Sequence, residues 1–152
     1  MNQQDAEELV NGAVDRLVEE QSELLDLDVS ERALAHHVAI YIAELVAPGL
    51  VVDVEYNRHG AIPKRLHIGA PPACADPLAA STVFPDLIVH VRGTNEHNVL
   101  VLELKKRDRS LDFDRRKLLA FRSELGYQHA AHLILGRNSV GAVLREIRWV
   151  DG

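Results

Sequence analysis

The chain has 152 residues, 47% hydrophobic and 26% charged, the length and balance of one soluble domain (1–152) with a substantial core. A single cysteine, Cys74, excludes an internal disulfide and a cysteine-rich zinc site, and no apolar run approaches the roughly 18 residues of a membrane span. The opening Met-Asn-Gln-Gln-Asp-Ala-Glu-Glu is no signal peptide, so a cytoplasmic location without membrane partners is the expectation.

The net charge of −6 is unevenly spread. Residues 1–28 hold nine acids against Arg16, a net of −8, which leaves +2 for the rest of the chain. Residues 4–25 place Ala6, Leu9, Val10, Ala13, Val14, Leu17 and Val18 at helical spacing, predicting an amphipathic helix with an acidic outer face. It reads as a packing helix, with a dimer contact or a mask over basic surface as alternatives. Asp28-Val29-Ser30-Glu31 resembles a capping box that opens a second helix, striped by Leu34, Val38, Tyr41, Ile42 and Leu45 and closed by Pro48-Gly49. Glu31 is in phase with that stripe, and its plain role is that of cap and dipole partner.

Leu50 to Asn57 alternates into a strand with Leu50, Val52, Val54 and Tyr56 on one face and Val51, Asp53, Glu55 and Asn57 on the other. Lys64 to Ile68 is expected to form a short partner strand, and Arg58, Lys64 and Arg65 are candidate phosphate contacts. Residues 69–82 form the one long irregular stretch, expected to border a cleft.

Residues 83–107 read as a hairpin, two β-rich runs around the polar segment 93–98. The first run opens with Pro85-Asp86 and the second ends with Glu103-Leu104-Lys105. If residues 93–98 are the whole loop, Asp86 lies opposite Lys105 and Ile88 opposite Glu103, and the three charged groups share one face. Such a cluster is a solvated edge, a salt bridge or a site, because charge is costly to bury unless it is paired or metal-bound. Paired carboxylates suit a hard cation such as Mg²⁺, and a neighbouring lysine suits a water or a phosphate in flight.

Seven basic side chains, among them Lys105, Lys106, Arg107, Arg109 and Lys117, crowd residues 105–117, where a phosphate backbone would lie; the plain reading is a solvated helix start. Ser110 or Asp112 is expected to cap a helix running to about Leu125 and ended by Gly126. His129 to Leu135 predicts a strand ended by Gly136, and Ala142 to Val150 an edge strand, with a short helix as the alternative. The eight histidines form no H-x-x-x-H pair, and no phosphate-cradling glycine loop points to a nucleotide cofactor. His90, on the face of Asp86, is a candidate general base.

Pro85-Asp86, sixteen intervening residues and Glu103-Leu104-Lys105 resemble the signature of the PD-(D/E)XK nuclease superfamily, over about residues 28–137. The stretch Val54 to Arg58 is also similar to a VEYNR-like run in small bacterial members. The resemblance implies an α/β (α+β) fold, a three-layer αβββαβ restriction-endonuclease-like core with a mixed sheet. Residues 1–27 would then be an added acidic helix and residues 138–152 a tail. It implies a Mg²⁺- or Mn²⁺-dependent nuclease acting on nucleic acid, with DNA favoured. Asp86 and Glu103 would be metal ligands, the backbone carbonyl of Leu104 a further one, and Lys105 would position water. Glu31 would reach the metal through water. Two other classes stay open: a nuclease-fold module without catalysis, working with a partner protein or as a homodimer, and a structural protein with an Asp86–Lys105 surface pair.

Overall fold

The computed structural model describes residues 1–56, 58–59, 62–63, 65–66, 81–82, 84–107 and 111–151, with backbone alone at 58–59, 62–63, 65 and 81–82. In chain order the elements are α1 (Gln3–Glu20), α2 (Glu23–Asp26), α3 (Glu31–Leu45), β1 (Val51–Val54), β2 (Arg58–His59), β3 (Ile62–Pro63), β4 (Arg65–Leu66) and β5 (Ser81–Thr82). They continue with β6 (Leu87–His90), β7 (Leu100–Lys105), α4 (Asp112–Leu125), β8 (His129–Arg137) and β9 (Val143–Trp149). Among the described residues no helix is long and apolar enough to cross a membrane.

One mixed sheet of five strands, ordered β1-β6-β7-β8-β9, carries the fold. β1, β6 and β7 run antiparallel in turn, β8 lies parallel to β7 after the α4 crossover, and β9 returns antiparallel at the far edge. Alternation divides the side chains between two layers. Leu87, Val89, Leu100, Leu102, Leu104, Ala131, Leu133 and Leu135 pack against α1, α2 and α3, joined by Val143, Ile147 and Trp149. Ile88, Val101 and Ala130 pack against Leu118 and Phe121 of α4, with Leu66 of β4. Helices on both faces of a mixed sheet make a three-layer α+β domain. Truncating a buried leucine such as Leu102 to alanine is expected to cost about 2–5 kcal/mol.

Several local expectations need correction. The first helix stops at Glu20, where Gln21 leaves helical geometry at φ −140°, and α2 is a separate turn. The α3 cap is Ser30, whose hydroxyl accepts from the Ala33 N–H at 3.1 Å, whereas Asp28 sits outside the helix in left-handed backbone at φ +50°. The capping box belongs to α1, where Asn2 and Asp5 exchange side-chain and backbone bonds at 2.8 Å. Leu111 is the N-cap of α4 and Asp112 its first residue, Ser110 lies outside the described residues, and Gly126 ends the helix at φ +70°.

The expected partner of the first strand is also wrong. β4 pairs with β5 in a small separate sheet, and β1 pairs with β6. Glu55, at φ +51°, breaks the alternation after β1, so Tyr56 turns to the α4 layer instead of sharing a face with Val54. Gly136 does not end β8 but lies inside it, because a Cβ there would sit 2.5 Å from the Lys106 carbonyl oxygen. Lys64, Cys74 and Arg109 lie outside the described residues.

Candidate functional site

The hairpin register differs from expectation by two residues. Leu87 pairs with Leu102 and Ile88 with Val101, so one step further Asp86 stands across from Glu103, not Lys105. The loop is longer than the polar segment: the Val91 N–H donates to the His97 carbonyl at 3.2 Å, and the Asn98 amide is drawn to the Leu125 carbonyl at 2.6 Å. An even slip leaves faces unchanged. Asp86, Glu103 and Lys105 therefore share the α4 side of the sheet, at the end where β6 begins and β7 finishes.

Asp86 precedes the first residue of β6, and its Oδ2 accepts the Leu104 N–H at 2.7 Å. The carboxylate takes the place of a ladder carbonyl at that end of β7. Burial nevertheless pushes the Asp86 carboxyl above its ordinary range, against the pull of the Leu104 N–H, Lys117 and Lys105. Glu103 is 2% exposed, and its carboxyl is pushed up to about 8 by burial and by Asp86, against the pull of Lys117. Leu104 itself buries its side chain in the α1–α3 layer.

Two ammonium groups enter this patch. Lys117 reaches Glu103 at 2.7 Å from the second turn of α4, with its side chain only 10% exposed. The sequence reading assigned it to phosphate; the structure pairs it with a buried acid. Lys105 lies 2.9 Å from Asp114 and 3.9 Å from Glu31. Burial pulls the Lys105 ammonium down, but Asp114, Glu31 and Glu103 outweigh it and hold the pKa above the ordinary lysine value. Glu31 comes around the end of β7 from the first turn of α3, and its Oε1 accepts the Lys106 N–H at 3.3 Å.

Asp114 and His132 were not singled out from the sequence. Asp114 stands three residues before Lys117 on α4, so a helical projection puts both on the face toward the sheet. His132 is the parallel partner of Glu103 on β8 and is 2% exposed, and burial holds its imidazole below the ordinary value. Only the β7–β8 register reveals it.

Of the other residues, His90 lies apart from this patch, whereas Glu55 borders Asp86 through its backbone N–H and Lys106 adjoins Glu31. His90 is held by Asp53 at 2.9 Å, four residues and about 13 Å along β6 from Asp86, so it is not a base for this patch. Glu55 points to Arg32 at 2.8 Å. Lys106 and Arg107 lie 2.9 and 3.9 Å from Asp28. Arg58 and Arg65 fall in β2 and β4, outside the main sheet.

Among the described residues, no group of three or more histidine, cysteine or acidic side chains gathers as a metal set. Asp86 and Glu103 still fit a hard cation in kind. Both are oxygen donors held at the sheet end, Asp86 raises Glu103, and Mg²⁺ retains several waters and needs only one or two carboxylates. Compared with family models, curated proteins and solved structures, the chain matches none.

Proposed function

We propose that the chain is a metal-dependent nuclease that hydrolyses phosphodiester bonds in nucleic acid, with DNA as the leading substrate. The observation that carries this reading is the gathering of Asp86, Glu103 and Lys105 on one sheet face, with burial pressing both acids upward. The order α3, β1, β6, β7, α4, β8 supports it, because it follows the αβββαβ sequence of the PD-(D/E)XK core that the motif resembles.

Asp86 and Glu103 would hold Mg²⁺ or Mn²⁺, with the Leu104 carbonyl and, through water, Glu31 as further contributors. Such a cation, when bound, polarises a phosphoryl oxygen and acidifies a water. The remaining work falls to side chains. Lys105, kept charged by Asp114 and Glu31, faces the reacting phosphate or its attacking water. Asp114 positions Lys105. Lys117 holds Glu103 at 2.7 Å, and with that carboxylate on a cation its ammonium would be available to phosphate.

A thermal shift with Mg²⁺ or Mn²⁺ at a hundred times Kd should stabilise the protein by about 2.7 kcal/mol, or about 5–10 °C for a chain of this size. Asp86→Asn, which keeps an acceptor for Leu104, should remove that gain. Cleavage of plasmid, linear and branched DNA, with RNA as a parallel substrate, should fall about 10²–10⁴-fold in Lys105→Ala. The absence of both stabilisation and cleavage with Mg²⁺ and with Mn²⁺ would overturn the proposal.

A second reading is a nuclease-fold module that binds nucleic acid or a partner without cutting. One observation favours it: both lysines of the patch already hold carboxylate partners. Metal-dependent stabilisation without cleavage of any substrate would select it.

A further inference from the structure

β7 and β8 are parallel, so the residues that follow Lys105 and those that end β8 emerge at the same rim of the sheet. Gly136 lets the two chains approach closely there, since a Cβ at that position would meet the Lys106 carbonyl. The approach brings Lys106, Arg107 and Arg137 together. Each faces an acid of the segment between α1 and α3. Asp26 takes Arg137 through Nε at 3.0 Å and Nη2 at 2.9 Å. Asp28 takes the Lys106 ammonium at 2.9 Å and lies 3.9 Å from Arg107, and its own carbonyl accepts from Lys106 at 3.0 Å.

Exposed pairs of this kind hold a fold together weakly, and both acids are more than half exposed. Asp28 adopts left-handed backbone to make its contacts, a conformation that favours glycine. Lys106 and Arg107 line two clefts, one with Arg137 and one with Glu31, and the second adjoins the Lys105 site: Glu31 contacts the Lys105 ammonium with one oxygen and the Lys106 N–H with the other. Two guanidinium groups and an ammonium lining one cleft suit the spaced oxygens of a phosphodiester chain better than two single carboxylates.

The geometry points to a phosphate-backbone cradle made of Lys106, Arg107 and Arg137, which Asp26 and Asp28 fill as internal anions until a nucleic-acid strand displaces them. The inference rests on the nuclease reading for its ligand class, and it adds Arg137 and a self-masking segment that the sequence motif does not include. Masking of this sort sets a threshold. A short or weakly charged ligand gains little over the resident carboxylates, whereas a strand reaching all three cations releases counterions along its length.

The test is fluorescence anisotropy of labelled single-stranded and duplex DNA, in EDTA, across a salt series. Working without metal separates this inference from cleavage, which is scored on its own. Asp26→Asn/Asp28→Asn is expected to bind about tenfold more tightly than wild type at low salt. Arg137→Ala is expected to weaken binding and to reduce the salt slope by about one. Asp28→Gly, which suits the left-handed backbone, provides a second unmasked variant if the asparagine pair lowers Tm. Unmasked variants that bind no better than wild type, or an Arg137→Ala with unchanged affinity and slope, would overturn the inference even if cleavage is observed.

Discussion

The α4 side of the sheet carries two clusters built from the same materials, with opposite electrostatic outcomes. At one end Asp53 joins His90 and Arg92: His90 Nε2 lies 2.9 Å away, Arg92 Nε donates at 2.8 Å, and a second guanidinium nitrogen contacts the other oxygen. The Arg92 guanidinium, with His90 helping, holds the Asp53 carboxyl below its ordinary range despite burial. At the other end burial pushes Asp86 and Glu103 upward, with Glu31 adding to the first and Asp86 to the second, although two lysines stand nearby. The first cluster is a settled ion pair of the kind that fixes a strand edge. The second keeps two acids crowded in a partly closed site, a condition that costs stability and that a cation or a proton relieves. Polar side chains are common to both clusters; the direction of the carboxylate shift is what separates them.

The comparison breaks most sharply at Lys117. Above pH 8, where Glu103 ionises, Lys117→Met leaves that carboxylate buried without its counter-charge and should cost about 3–5 kcal/mol in urea unfolding, whereas Lys117→Met combined with Glu103→Leu should recover most of that loss. A single variant that unfolds like wild type would show that the buried pair is not what holds α4 to β7.

A pH series sharpens the contrast, because the two ends should respond with opposite sign. Glu103 has a folded pKa raised from 4.5 to about 8. Its contribution is fully present below pH 4.5 and is lost as pH rises through about 8. In metal-free buffer wild type should therefore lose stability relative to Glu103→Gln across that window, at about 1.4 kcal/mol for each pH unit separating the folded and unfolded values. Asp53, lowered in the folded state, contributes above its unfolded pKa near 3.8 and loses that contribution as pH falls through its folded value. Parallel curves for wild type and Glu103→Gln between pH 5 and 8 would contradict the first half.

The smallest effect is expected at Arg92. Its side chain is 59% exposed, so Arg92→Ala should cost no more than about 1 kcal/mol by thermal or urea melting. A loss several times larger would mean that the Asp53 end is as strongly coupled to the core as the Glu103 end.

Much of the frame was readable from local pattern. The stripes of α1 and α3, the alternating runs of β6, β7 and β8, and the glycine that ends α4 all follow from spacing and backbone preference. The site was readable in part for a specific reason. Val91 and Val99 look like strand residues but belong to the loop closure, so the register slipped, yet the slip was even and the face of Asp86, Glu103 and Lys105 survived. Asp114 was hidden inside a basic run, where it counted only as one charge among many. His132 carries no local signal at all, because its place beside Glu103 depends on a parallel pairing across an intervening helix. The Asp26 and Asp28 contacts were equally invisible, since they join residues about 80 to 110 positions apart.

Asp86 has a consequence beyond its charge. Its carboxylate oxygen serves as the last rung between β6 and β7, holding the Leu104 amide. The same atom that would greet an incoming ion is thus part of the scaffold's stitching, and the ion's arrival would loosen that stitch. On the proposed reading chemistry and architecture would meet there in one side chain, so a replacement at this position would act twice, once on ion binding and once on how firmly the two strands are sewn.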